Sequence, residues 1–522
     1  MRPEACDNVG MPFRIRGSIN LPQVATTPVA QPVTTPVVDP RVSTGTTPVV
    51  DPRLSTVTTI DPNTMKPIAA PKLDSSFDTR STIKRTGTDD DSLGGGAMLK
   101  QKGIYGSVNE GVVGPDNDPN RLALRDAIWD RLETPSYLRE SANPSKPVDA
   151  RKLSASLAAG TTSRQAAALA RQAQAKPEVG ARLQTFFDST RSIAAPTRSS
   201  LLQTLASDAS GVAGAVIAGI TSSKAFTSLG AEQQAQLATV LSRLDGQGLK
   251  VMGALIENVP EALADKDTAG GTLLANLAAL ASQPLNASLT GHTTTEELLS
   301  HVLSEVMNPN RIEQGTATTC TVASMQFELV ADEPAEYARL MAGLSGAKGS
   351  VAMQGGGLLR TGPGDADAKA RDGRSVSQAL FQSAAMEYAN GRFSNYDPVL
   401  GVSVNEKTGA ERMGLKPDNQ QALLEKLFGV NYSINRLFTE KEAAGALAKL
   451  EGWDARGYRN RPIVVDIDQG KFNHAVTLES VTKEKVVFRD PYGVLRSMPA
   501  NAFPKVAVAL HVPMDVKLNG VG

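Results

Sequence analysis

Four short runs near the C-terminus constrain the fold more than anything else in the sequence. Ile463-Val464-Val465-Asp466-Ile467, Ala475-Val476-Thr477-Leu478-Glu479-Ser480-Val481, Lys485-Val486-Val487-Phe488-Arg489 and Val506-Ala507-Val508-Ala509-Leu510-His511-Val512 are rich in β-branched and apolar residues. Runs of this kind bounded by turn residues read as strands. Upstream the pattern is helical. A helix is expected to start at Cys320 and run to Leu329, with Thr318 or Thr319 as its N-cap. Further helices are expected at Pro334–Leu344, Ser377–Tyr388, Asn419–Phe428 and Lys441–Leu450. A glycine-rich insertion with Gly355-Gly356-Gly357 and a turn at Thr361-Gly362-Pro363-Gly364 interrupts them. Helices first and an antiparallel sheet second predict an α+β domain over residues 308–522.

Residues 119–307 read as an all-α region. Leu237, Val240, Leu241 and Leu244 share one helical face, while Gln233, Gln234 and Arg243 lie elsewhere on the surface. Asp245 before Gly248 and Asp267 before Gly270 suggest a repeated helix-turn unit. This region carries no visible chemistry and reads as a scaffold or a module that binds a protein partner. Residues 1–118 are rich in Thr, Pro, Val, Asp and Ser, and TTPVVDPR occurs at both 34–41 and 46–53. Proline removes backbone donors and favours extended chain, so a disordered Thr/Pro-rich tail is expected there. Two copies this short bury no core, which excludes a solenoid.

Composition narrows the function. The chain has 54 basic and 54 acidic residues, a balance that argues against nucleic-acid binding through bulk charge. Its two cysteines, Cys6 and Cys320, are too far apart to suggest a disulfide framework. The four histidines form no zinc-site spacing with them, so no metal and no cofactor is expected. The N-terminus lacks the apolar run of a secretory signal, and the longest apolar stretch, near Val212–Ile220, is too short for a membrane span. The expected location is therefore the cytoplasm, or outside the cell by an export route that reads no standard signal.

Three short elements carry chemistry: Gln314-Gly315-Thr316-Ala317-Thr318-Thr319-Cys320, Asn473-His474-Ala475-Val476 and Asp490-Pro491-Tyr492-Gly493. A thiol attacks as thiolate, so its pKa must fall below its usual value of about 8.5. A helix N-terminus favours the anion at Cys320, and His474 at a strand start can take its proton. Asp490, one hairpin later, can orient the imidazole. Gln314 and the Cys320 backbone N–H can serve a developing oxyanion. His511 is a rival base. Cys6, His292 and His301 are taken as incidental.

This set resembles the papain superfamily of cysteine peptidases. The pairing of Asn-His-Ala-Val with a later Asp-Pro-Tyr-Gly resembles in particular the bacterial branch of bacteriocin-leader-processing peptidases. The resemblance covers about 308–515. It implies a papain-like C-terminal fold, with the Cys-bearing helix packed on an antiparallel sheet. It also implies a protein or peptide substrate, with Cys320 as nucleophile, His474 as general base and acid, Asp490 as orienter and Gln314 as oxyanion donor. Thr321 stands where papain relatives have an aromatic residue, and Asp490 where papain has Asn. Other acyl transfers (deamidation, a transglutaminase-like reaction) share the chemistry as far as the thioester. An inactive relative kept for binding is the non-enzymatic reading. The tail without a signal is compatible with a bacterial effector, and Leu93-Gly94-Gly95 with a self-processing site.

Overall fold

The computed structural model describes residues 212–516, apart from 368–370, 392–393, 456–460 and 471–472, together with isolated positions between 135 and 204. The Thr/Pro-rich segment, Leu93-Gly94-Gly95 and Cys6 lie outside the described residues. The architecture is α+β. Among the described residues five helices of ten residues or more come first: α1 (Val212–Ser222), α2 (Ala231–Leu241), α3 (Gly246–Asn258), α4 (Leu273–Ser282) and α5 (Thr295–Met307), with a single helical turn at Lys224–Thr227 between α1 and α2. Leu237, Val240, Leu241 and Leu244 are all buried, as their spacing on one face requires. The two Asp-x-x-Gly sites do not form a repeat. Asp245 caps α3 by accepting from the Gly248 N–H, whereas Asp267 closes a turn by accepting from Ala269 and Gly271. Thr272 is the residue that caps α4.

Next come α6 (Cys320–Asp332), α7 (Pro334–Ser345), the hairpin β1 (Ser350–Ala352) and β2 (Leu358–Arg360), and α8 (Val376–Asn390). A small sheet follows, of β3 (Ser394–Asp397), β4 (Val402–Asn405) and β5 (Glu411–Met413). The chain then runs through α9 (Pro417–Phe428), β6 (Tyr432–Arg436), α10 (Glu440–Lys449), β7 (Val464–Asp468), β8 (Asn473–Val481), β9 (Lys485–Asp490), β10 (Val494–Pro499) and β11 (Ala507–Pro513). The large sheet has the order β10-β9-β8-β7-β11-β6, and every neighbouring pair is antiparallel.

Alternation along the strands separates two cores. Val464 and Ala475 join the apolar cluster that also contains helical residues from Leu169 to Phe428. Their neighbours Val465, Ile467, Val476 and Leu478 join a second cluster with Leu447 of α10, Trp453 and Phe503. The sheet is therefore covered by helix on both faces, with α6 against β8 and α9 against β6 on the first. The first cluster takes in residues on both sides of Asn308, so the early helices and α6–α9 share one core. No helix among the described residues is long and apolar enough to cross a membrane.

The turn after β9 is sterically specified. Gly493 has φ +76, and a methyl group there would sit 2.8 Å from the carbonyl oxygen of Asn310. Gly493→Ala is expected to lower stability by about 1–3 kcal/mol through backbone strain. Chemical denaturation checks this, and a midpoint equal to that of the unsubstituted protein would show that the turn is not under this constraint.

Candidate active site

Cys320 is the first residue of α6, where the initial N–H groups of a helix have no intrahelical acceptor. Neither preceding threonine caps the helix with its side chain. The Thr319 hydroxyl donates instead to Gln382 Oε1 at 2.7 Å, and the Thr318 hydroxyl donates to the Gly401 carbonyl. Both bonds fasten the loop to its surroundings and leave the helix start without a side-chain cap. Cys320 is partly exposed. One turn further along α6, the Ser324 hydroxyl donates to the Ala475 carbonyl at 3.2 Å, which fixes α6 against β8 beside His474.

The loop before Cys320 is held by α8. Gln382, buried on that helix, donates through Nε2 to the Glu313 carbonyl and to Gln326 Oε1, both at 3.0 Å. Its Oε1 receives Arg374 Nη1 at 2.7 Å in addition to Thr319. Gly315 has φ +60, and a side chain there would strike the carboxylate of Asp372. That carboxylate accepts from the Thr316 N–H at 2.6 Å and from Arg374 Nε at 2.8 Å.

The sheet brings up the other partners. The register pairing Thr477 with Arg489 places the start of β8 and the end of β9 at the same end of the sheet. His474 Nε2 lies 3.2 Å from Asp490 Oδ1. The ring and Cys320 also act on one another, the imidazole lowering the pKa of the thiol and the thiol raising that of the imidazole. With Nε2 engaged by Asp490, Nδ1 is the nitrogen left for the thiol. The second Asp490 oxygen lies 2.7 Å from Arg496 Nε on β10, and Oδ1 also accepts from the Tyr492 N–H at 3.1 Å. The Tyr492 ring stacks on His474, with centroids 5.7 Å apart.

The electrostatics follow from these contacts. Burial pushes the Cys320 thiol up, but the hydrogen bond and charge of His474, with the Ala475 backbone, bring it below its ordinary value. Burial lowers the His474 imidazolium, but Asp490 and then Cys320 outweigh it and raise its pKa to about 10. Burial likewise opposes ionisation of Asp490, and Arg496 followed by His474 holds it below the usual carboxylate range. Both shifts run in the direction that favours a thiolate beside an imidazolium.

Gln314 sits beside this group, and its N–H donates to the Pro491 carbonyl at 2.8 Å. Its Nε2 donates to the Ala317 carbonyl at 3.0 Å and approaches the Tyr492 hydroxyl at 3.5 Å. His511 is fully buried and faces Asp466, 3.7 Å from its Oδ2, rather than Asp490. His301 Nδ1 accepts from the Val376 N–H at 3.4 Å. Sequence reasoning missed Arg496, the stacking of Tyr492, and Asp466. Asp466 pairs with Ala475 in the β7–β8 register, and its charge opposes the Cys320 thiolate. An arginine within a strand that otherwise reads as ordinary gives no signal of its own. Asp466 was visible as the one charged residue in an apolar run.

No protein-family model, no curated protein and no solved structure matches this chain.

Two outcomes are expected when iodoacetamide alkylation of Cys320 is followed against pH by mass spectrometry. The thiolate form should appear below the ordinary thiol range of about 8.5, because His474 stays protonated up to about 10. His474→Ala should move the midpoint upward, since burial then acts on the thiol without a cation. A midpoint at or above the ordinary value in the unsubstituted protein would show that Cys320 is not activated. Asp466→Asn should move the midpoint the other way, to lower pH, because it removes a negative charge that opposes the thiolate. An unchanged or raised midpoint in that variant would show that Asp466 does not act on the thiol.

Proposed function

We propose that this protein is a papain-like cysteine peptidase acting through Cys320, His474 and Asp490. The observation that carries the reading is the chain of contacts from a thiol at a helix start, through His474, to a buried aspartate neutralised by Arg496. It is supported by the setting: the Cys-bearing helix packs on an antiparallel sheet that presents the base at one strand start and the acid at the next strand's end.

The chemistry follows from the geometry. The Cys320 thiolate adds to the carbonyl carbon of the scissile peptide bond, and the carbonyl oxygen takes the negative charge. The Cys320 N–H at the helix start receives that oxyanion, and the Gln314 side-chain amide joins it by giving up its long 3.5 Å contact with the Tyr492 hydroxyl. His474, already protonated, gives its proton to the departing amine as the C–N bond breaks and a thioester forms. Water then attacks the thioester with neutral His474 taking its proton. The thiolate leaves, and the proton returns the imidazole to its charged form. Asp490 keeps Nε2 occupied throughout, which fixes the ring orientation and tautomer. Bacterial export as an effector, and a protein-binding role for the early helices, remain proposals alongside this one.

Cys320→Ala is expected to reduce hydrolysis of a mixed peptide library by at least about three orders of magnitude, with an unchanged thermal transition. The library digest is read by mass spectrometry. Retained cleavage in a folded Cys320→Ala protein would refute the assignment.

A further inference from the structure

Large apolar side chains that are exposed mark contact surfaces when they cluster. Of the seven such residues described, Val399 and Leu400 lie in the β3–β4 turn and Met413 on β5, all in one small lobe. Leu400 and Met413 are each 60% exposed. Their position is not incidental to the nucleophile. Gly401, next to Leu400, receives the Thr318 hydroxyl on its carbonyl oxygen, and a Cβ on it would lie 3.5 Å from the Thr318 nitrogen. Gly414, next to Met413, faces the same residue from another side, and its Cβ would lie 3.9 Å from the Thr318 oxygen. Thr318 is two residues before Cys320. With adjacent Cα atoms about 3.8 Å apart, both apolar side chains start within about 15 Å of the nucleophile.

The lobe is built to hold them out. The Asp397 carboxylate accepts from the N–H groups of both Val399 and Leu400 at 2.9 Å, which fixes the β3–β4 turn. Below it, Tyr396 is buried and its N–H donates to Glu387 on α8 at 2.6 Å. Asn390, at the end of α8, donates to the Ser403 hydroxyl at 2.6 Å. The helix that carries Gln382, and so holds the Cys320 loop, therefore also holds the lobe. β5 is an end strand of its sheet, and all three of its residues are exposed. An end strand can pair with an extended peptide through its main chain while side chains give selectivity.

We propose that the β3–β5 lobe is one wall of the substrate cleft, and that Leu400 and Met413 receive an apolar side chain of the peptide about four residues from the scissile bond. The occupant is the substrate, because the lobe is joined through Thr318 to the loop that carries the nucleophile. An extended chain covers the interval in about four residues at roughly 3.3 Å each. This rests on the peptidase reading and goes beyond it by naming the substrate feature.

The test measures second-order inactivation at Cys320 by two epoxysuccinyl peptides that differ only in a Leu or an Asp side chain, with iodoacetamide as a reagent too small to need the lobe. The full-length protein, a Leu400→Ser/Met413→Ser double variant and a Phe438→Ser variant are compared. Phe438 is exposed in the connection between β6 and α10 and is not part of the β3–β5 lobe. The Leu reagent should react at least about tenfold faster than the Asp reagent with the unsubstituted protein and with Phe438→Ser. In the double variant the ratio should fall to near unity while the iodoacetamide rate stays constant. A ratio near unity in the unsubstituted protein, or one retained in the double variant, overturns the proposal while a fast, His474-dependent iodoacetamide reaction keeps the peptidase reading. Slow iodoacetamide labelling that ignores His474 sinks that reading and the proposal with it. A double variant that loses a dimer in size-exclusion chromatography and keeps the ratio assigns the lobe to a second copy of the chain, which also overturns the proposal.

Discussion

The site depends on one buried carboxylate. Asp490 has almost no exposure, and an unpaired ion there would cost several kcal/mol. It is matched by Arg496 at 2.7 Å, by His474 at 3.2 Å and by the Tyr492 N–H at 3.1 Å. These groups come from β8, β9, β10 and the turn between the last two, so their meeting requires the correct register of three strands. Arginine keeps its charge at every relevant pH. Asp490 therefore stays ionised whether or not His474 carries a proton, and the imidazole always faces an anion. That fixed negative charge makes the ring a good home for the thiol proton.

The nucleophile is held from the opposite direction. Gln382 on α8 ties Glu313, Thr319 and Gln326 together, and Gln326 receives no loose partner: its Nε2 donates to the Tyr337 hydroxyl at 3.0 Å. Tyr337 in turn donates to Glu305 at 2.5 Å, which also accepts from Ser375 and Ser377. Glu305 belongs to α5, within the helical part of the sequence that carries no chemistry of its own. Buried polar groups of this kind are costly when only partly satisfied, so such a network sets one arrangement. The helix side places Cys320 and the sheet side places His474. They meet only when both layers are packed, and Ser324 bonding to Ala475 is the point where the layers touch beside the site.

How much of this was legible in the sequence varies with the kind of pattern. The helices at Pro334, Ser377, Asn419 and Lys441 announced themselves by periodicity, and their ends fall within two residues of expectation. The four apolar strands did so by composition. β10 and β6 were missed because Val494–Pro499 and Tyr432–Arg436 contain Arg, Ser and Asn and lack a clean apolar run. β3–β5 were missed for a related reason: short strands on an exposed lobe carry few core residues. The meeting of Cys320, His474 and Asp490 could be suggested by residue type and order. The charge on Arg496 could not, because its role depends on the register of β9 with β10. The threonine caps failed for a tertiary reason: both hydroxyls found partners outside the helix.

Asp466 gives the site a second, opposing influence. It lies across from Ala475 on β7 and works against the thiolate, while Asp490 works for the imidazolium. A carboxylate near a nucleophilic anion looks like a defect if stability of the ion pair is the only measure. Nucleophilicity of a thiolate, however, falls as its pKa falls, and the best attacking thiol has a pKa near the ambient pH. Burial already opposes the stabilisation that His474 and the Ala475 backbone give the Cys320 anion, and Asp466 adds to that opposition in the same direction. In the peptidase reading proposed above, a carboxylate in that place would keep the thiol basic enough to attack. The two aspartates act in opposite directions: Asp490 behind the base favours the proton on His474, and Asp466 disfavours negative charge on Cys320.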